Sequence, residues 1–164
     1  MFKVSAFFIL CLGVLAAVPQ ANAQSTSLPL PRYVSLRSAD VNMRTGPGVR
    51  YPVEWNYKKA GLPVEIIAEF GNWRKIKDWD GTRGWVTKSL LSGNRTFRVL
   101  ATSNLRRSPT EDSRLMARVE SGVIGKLIQC PNDKPTFCRV EVKGYQGWLK
   151  RSEIWGVYPN EILE

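Results

Sequence analysis

Glu65, Glu69, Asp78 and Asp80 place four carboxylates in one short stretch, the grouping that a glycosidase pair of acid and nucleophile would require. Little else in the chain supports catalysis. With no histidine at all, a Ser-His-Asp triad, a Cys-His thiol pair and a His-based metal site are excluded. Glu65 and Glu69 alternate with Val64, Ile66, Ala68 and Phe70, so the pattern predicts a strand with the apolar set inward and both glutamates on the wet face. The loop Thr45-Gly46-Pro47-Gly48 has neither the following helix nor the lysine of a phosphate cradle. Catalytic residues, cofactor and metal are therefore all expected to be none.

Binding chemistry is better supplied. In Trp73 to Trp79, strand parity sets Ile76 on one face and Trp73, Lys75, Lys77 and Trp79 on the other. Two indole rings beside two ammonium groups could stack on a sugar or peptide while the cations meet a carboxylate. The plainer alternative is that Trp73 and Trp79 cover a sheet edge or seal a contact with another part of the chain, and both readings stand.

These residues sit in a unit that occurs twice. Gly81-Thr82-Arg83-Gly84-Trp85-Val86 returns as Gly144-Tyr145-Gln146-Gly147-Trp148-Leu149, and Asn42-Met43-Arg44 as Asn104-Leu105-Arg106, each with a proline behind it, Pro47 and Pro109. Asn42 and Asn104 are 62 residues apart and Gly84 and Gly147 are 63 apart, so insertions inside the unit nearly cancel. A repeated Trp beside a repeated glycine is expected to fill the gap that glycine leaves, which makes Gly84, Trp85, Gly147 and Trp148 structural. Short apolar runs broken by Gly, Asn and Asp turns predict strands over 33–44, 53–57, 64–70, 73–78 and 82–86. The second copy repeats them over 99–106, 115–119, 122–130, 137–142 and 145–150. No helical period follows the leader, and the fold class is all-β, two tandem small barrels.

That leader is residues 1–23: Lys3, an apolar run from Ala6 to Val18, and Ala21-Asn22-Ala23 before Gln24 form a secretory signal peptide. A lipoprotein is disfavoured because Leu10, not a small residue, precedes Cys11. Residues 24–32 read as a flexible lead-in, 33–93 as domain 1, and 94–164 as domain 2 with a docked tail carrying Trp155, Tyr158 and Ile162. Export puts Cys130 and Cys138 in an oxidising compartment, flanking a hairpin loop, where a structural disulfide is expected. By loop entropy, so short a closure contributes roughly 2–3 kcal/mol.

Asn42-Met43-Arg44-Thr45-Gly46-Pro47-Gly48, Tyr51-Pro52-Val53, Gly71-Asn72-Trp73 and Gly81 to Val86 together resemble the bacterial Src homology 3-like (SH3b) domain. The second copy resembles it more weakly, with Ser108-Pro109-Thr110 in the loop and Phe137 where Trp73 would be expected. The resemblance implies compact barrels of about five strands that bind rather than catalyse, and that in envelope proteins recognise cell-wall peptides or partner proteins. It also implies that Arg44 and Tyr51 flank the ligand-side loop, although an ordinary turn residue and a solvated cation explain them slightly better.

The expected function is a non-enzymatic, exported, periplasmic or secreted module of the bacterial envelope, binding a peptidoglycan peptide or an envelope protein without a transmembrane anchor. Arg44, Tyr51, Trp73, Lys75 and Trp79 are its candidate contacts. A net charge of +10 supports a rival, a basic surface for lipopolysaccharide, phospholipid or nucleic acid. Salt separates the two, since polyanion binding falls steeply with ionic strength.

Overall fold

The computed structural model describes residues 28–164; the signal peptide and the first part of the lead-in lie outside the described residues. Barrel 1 comprises β1 (Arg32–Leu36), β2 (Val41–Arg44), β3 (Val53–Tyr57), β4 (Pro63–Phe70), β5 (Trp73–Lys77), β6 (Arg83–Thr87) and β7 (Leu91–Ser92). Barrel 2 comprises β8 (Thr96–Val99), β9 (Ser103–Arg106), β10 (Leu115–Val119), β11 (Ile124–Gln129), β12 (Phe137–Val142), β13 (Tyr145–Lys150) and β14 (Ile154–Trp155). Each forms one seven-stranded antiparallel sheet, in the orders β3-β2-β6-β5-β4-β1-β7 and β10-β9-β13-β12-β11-β8-β14. Strand for strand the two orders are the same, as the repeated motifs require.

The long first strand expected over 33–44 is two strands. After Leu36 the polar run Arg37 to Asp40 bends the chain: the Arg37 amide donates to the Leu90 carbonyl (2.8 Å) and the Asp40 amide to Ser38 Oγ (3.3 Å). Such side-chain acceptors compete with ladder pairing. Val99 to Arg106 divides in the same way, into β8 and β9.

The two halves of the repeated signature pack on each other. A Cβ at Gly84 would lie 2.5 Å from Met43 Cγ and 2.9 Å from the Arg44 carbonyl, and at Gly147 2.8 Å from both Leu105 Cγ and the Arg106 carbonyl. The space the glycine leaves is thus taken by the middle residue of Asn-Met-Arg or Asn-Leu-Arg, and Met43 and Leu105 are fully buried. The tryptophans do not fill it. Gly84 and Val86 face the core, so Trp85 between them stands on the outer face, half-buried; Trp148 does the same between Gly147 and Leu149.

A bulge changes the face assignments in β4. Ile66 pairs with Ile76 inside the barrel, but the register shifts before Ala68 pairs with Lys75, Glu69 with Arg74 and Phe70 with Trp73. The extra residue reverses inside and outside for everything after it. Phe70, expected in the core, is 58% exposed. Glu69, expected in water, is buried against Arg74 Nε at 3.1 Å and Arg32 at 2.5 Å. The matching bulge in β11 follows Leu127, after which Gln129 pairs with Arg139 and the next pair inward is Cys130 with Cys138, joined as a disulfide with Cα atoms 4.3 Å apart. One cross-strand position therefore carries a buried ion pair in barrel 1 and a covalent bond in barrel 2.

The barrels meet along a polar and aromatic seam. Glu65, also expected in water, is 5% exposed, because β14 and the segment after it lie over this end of β1, β4 and β5. Tyr158 Oη donates to Glu65 Oε1 at 2.9 Å, and Lys77 pairs with Glu65 while its ammonium sits 5.5 Å from the Trp155 ring. Tyr33 packs edge-on against Trp155 (5.2 Å) and tilted against Tyr158 (4.6 Å). At Gly156 (φ +121°) a Cβ would meet the Thr96 carbonyl at 2.4 Å and Pro63 Cβ at 3.3 Å, so only glycine lets the strap pass this close.

Candidate functional site

The outer face of barrel 1 away from the seam is built by three alternations that coincide. Cross-strand registry sets Arg44 of β2 against Trp85 of β6, Trp85 against Lys75 of β5, and Lys75 against Ala68 of β4. One step along, Thr87, Trp73 and Phe70 form a second row. Three aromatic rings, Trp85, Trp73 and Phe70, thus share one surface with two cations. Directly opposed side chains on one face of a sheet lie about 4.5–5.5 Å apart at Cβ, so the rows are continuous. Such a face offers flat apolar rings for stacking and positive charge for a carboxylate.

Arg44 also fixes the neighbouring loop: its Nη1 donates to the carbonyls of Val49 (3.2 Å) and Tyr51 (2.8 Å). Arg106 repeats this, donating to the Ser113 carbonyl at 2.9 Å. The Tyr51 ring covers Gly46, where a Cβ would lie 2.5 Å from it, and the Arg50 guanidinium sits 5.2 Å from the ring centroid. Arg44 and Tyr51 therefore shape the loop that rims the aromatic face.

Trp79 and Lys77 belong elsewhere. β5 ends at Lys77, and the following turn carries Trp79 back onto the barrel 1 core and under Arg98 of barrel 2, whose guanidinium lies 4.4 Å from the ring. The parity that grouped Trp79 with Trp73 fails because the strand does not extend that far. Lys77 keeps the parity but is covered by the seam. Of the sequence candidates, Arg44, Lys75 and Trp73 come together, Tyr51 borders them, and Trp79 is apart. Phe70 and Trp85 were missed as site residues; the bulge hid the first, and the structural explanation of the Gly-Trp repeat hid the second.

The four carboxylates first weighed for chemistry are all occupied. Glu65 and Glu69 are in ion pairs. Asp78 accepts from Tyr57 Oη (2.8 Å) and the Thr82 amide (2.9 Å), and Asp80 accepts from the Thr82 amide (3.0 Å) and hydroxyl (2.7 Å). Burial first, and then the hydrogen bond with Asp80, pushes the Asp78 carboxyl up to about 6, while the Tyr57 hydroxyl pulls it down. Hydrogen bonds from Asp78 and Thr82 hold Asp80 at about 2. Burial, then Asp78, raises the Tyr57 phenol. Asp78 and Asp80 staple the β5–β6 turn.

In barrel 2 the first row recurs as Arg106, Trp148 and Arg139. The second does not: Phe137, at the register position of Trp73, is only 5% exposed. Residues near the chain end fold back here, with Leu163 bridging Cys130.

The model of the bacterial SH3 domain matches twice, over residues 37–93 and 100–156. A protein of Bacillus subtilis (strain 168), bearing the provisional name N-acetylmuramoyl-L-alanine amidase YrvJ, is 25% identical over 135 residues, covering 71% of this chain and 25% of that protein. This chain thus spans a quarter of that relative's length. Similar solved structures are NlpC2 from Trichomonas vaginalis (12% identity, 79% of this chain and 49% of that one, TM-score 0.35) and an NlpC/P60 family protein from Bacillus cereus ATCC 10987 (14%, 75% and 55%, TM-score 0.34). Among the described residues no helix is long and apolar enough to cross a membrane.

Proposed function

The chain belongs to the bacterial SH3 domain family, in two tandem copies, and on that premise we propose that it is an exported, non-enzymatic binding or scaffolding module of the bacterial envelope. Its ligand is a peptidoglycan peptide, taken on the barrel 1 face of Phe70, Trp73, Lys75, Trp85 and Arg44. The observation that carries this reading is the pair of aligned cross-strand rows, which put three rings and two cations on one surface outside the seam. The stem peptide of peptidoglycan offers apolar methyl groups and free carboxylates, which suit rings and cations respectively. The relative's name, an amidase of the N-acetylmuramoyl-L-alanine bond, points to the same polymer. The bound-up state of Glu65, Glu69, Asp78 and Asp80 supports binding without hydrolysis.

Co-sedimentation with purified sacculi across a salt series tests this. Trp73→Ala should weaken binding by roughly thirtyfold, the loss of about 2 kcal/mol typical of an aromatic anchor, with little change in Tm. Full binding by the folded variant would remove the face from consideration. A steep loss of wild-type binding between low and moderate salt would favour the rival polyanion surface, and release of soluble muropeptides would establish an enzyme.

A further inference from the structure

The two barrels also differ on the side of the sheet that ends in β3 and β10. In barrel 1, Trp55 opposes Met43, Tyr57 opposes Val41, and Asp78 accepts the Tyr57 hydroxyl. At the same register positions barrel 2 has Ala117 opposite Leu105 and Val119 opposite Ser103, with Val142 at the hinge of the shortened β12–β13 turn. Tryptophan has become alanine, tyrosine valine and aspartate valine. The result is a groove of about 790 Å³ above Leu105 and Ala117, walled by Leu115, Met116 and Tyr145 and continued by a second hollow over Val119 and Val142. Met116 and Tyr145 are 46% and 67% exposed. The walls are apolar and open to solvent.

Charge has changed with volume. Arg107, Arg114, Arg118 and Lys143 line the two hollows against one acid, Glu120. The register partners of the three arginines in barrel 1 are Thr45, Pro52 and Asn56, none of them charged. No ion pair occupies these four cations among the described residues. Finally, β10 is the terminal strand of its sheet, so one side of its backbone has unpaired amides and carbonyls, the template on which an extended peptide adds as a further strand.

We propose that this groove docks an extended acidic segment of a partner protein, which pairs with the free edge of β10, sets alternate apolar side chains against Leu115, Met116 and Ala117, and meets Arg107, Arg114 and Arg118 with its carboxylates. The apolar floor and the open strand edge favour a peptide over a bare polyanion, which has neither alternating apolar groups nor amides. This site lies on barrel 2 and is independent of the peptidoglycan reading.

The test uses the exported chain and an end-blocked peptide of alternating glutamate and valine, titrated by amide NMR and calorimetry. Shifts should be confined to β10, Tyr145 and their neighbours. Ala117→Trp, which installs the residue barrel 1 carries at that position, should weaken binding by at least about tenfold while leaving sacculus binding intact. Arg114→Gln with Arg118→Gln serves as the second variant, should be similarly weak, and should flatten the salt dependence. Absence of binding at millimolar peptide, shifts centred on barrel 1, or unchanged affinity in the charge variant would overturn the proposal. So would equal binding of polyglutamate, which would reveal a charge patch only.

Discussion

Removing Arg74 should damage barrel 1 more than removing both members of its ion pair. The side chains of Arg74 and Glu69 are 2% and 7% exposed and 3.1 Å apart, so water does not screen them. Losing one member of such a pair costs about 3–5 kcal/mol, whereas replacing both by apolar groups of similar volume is close to neutral. Arg32 stays on the Glu69 carboxylate, at 2.5 Å and 17% exposed, which places Arg74→Met at the lower end, roughly 3 kcal/mol. At about 2–4 °C per kcal/mol for a protein of this size, Tm should fall by roughly 6–12 °C. The double variant Glu69→Met with Arg74→Met should recover part of that loss, to within about 2 kcal/mol of wild type, the remainder reflecting Arg32, which loses its Glu69 partner. Barrel 2 already makes an equivalent replacement, with a disulfide at the same register position. Urea unfolding followed by far-UV circular dichroism, with the disulfide kept oxidised, supplies the free energies. A single variant as stable as wild type, or a double variant weaker than the single one, would refute the reasoning.

Two further outcomes follow from buried groups. Asp78 holds its proton more tightly folded, at about 6, than unfolded, near 3.8, so stability should fall as pH rises from about 4 to 6 and then level off, by at most about 3 kcal/mol. Asp80, held at about 2, adds a loss in the opposite sense below pH 4; Asp78→Asn should erase the first slope in pH-dependent urea midpoints, and its persistence would assign the slope elsewhere. Gly147→Ala should cost roughly 2 kcal/mol by overpacking, since its Cβ would meet both the Arg106 carbonyl and Leu105 at 2.8 Å, and a thermal melt equal to wild type would show that β9 and β13 can separate at little cost.

Turn chemistry and repetition made most of the fold legible in the sequence. The Gly-x-x-Gly-Trp hairpins, the paired Asn-x-Arg strands and the Cys130–Cys138 link all lie where local patterns put them. What escaped were events invisible to alternation. The bulge after Ile66 reverses parity with no glycine or proline to announce it, sending Phe70 out and Glu69 in. The burial of Glu65 depends on Tyr158, 93 residues away, and no window along the chain contains both. Trp79 looked like a neighbour of Trp73 because parity was carried past the end of the strand expected over 73–78, into the Asp78 to Gly81 turn. Trp85 was read through its adjacent glycine, yet Met43 takes that space.

The seam also has a temporal side. Glu65 and Lys77 are synthesised before Trp155 and Tyr158, which cover them. If barrel 1 folds before the strap is made, this charged corner stays wet, and covering it closes a separation of 93 residues between Glu65 and Tyr158. Once the strap is in place, Glu65 and Lys77 lose their water together, so the charged corner of barrel 1 is completed only by aromatic side chains that barrel 2 supplies.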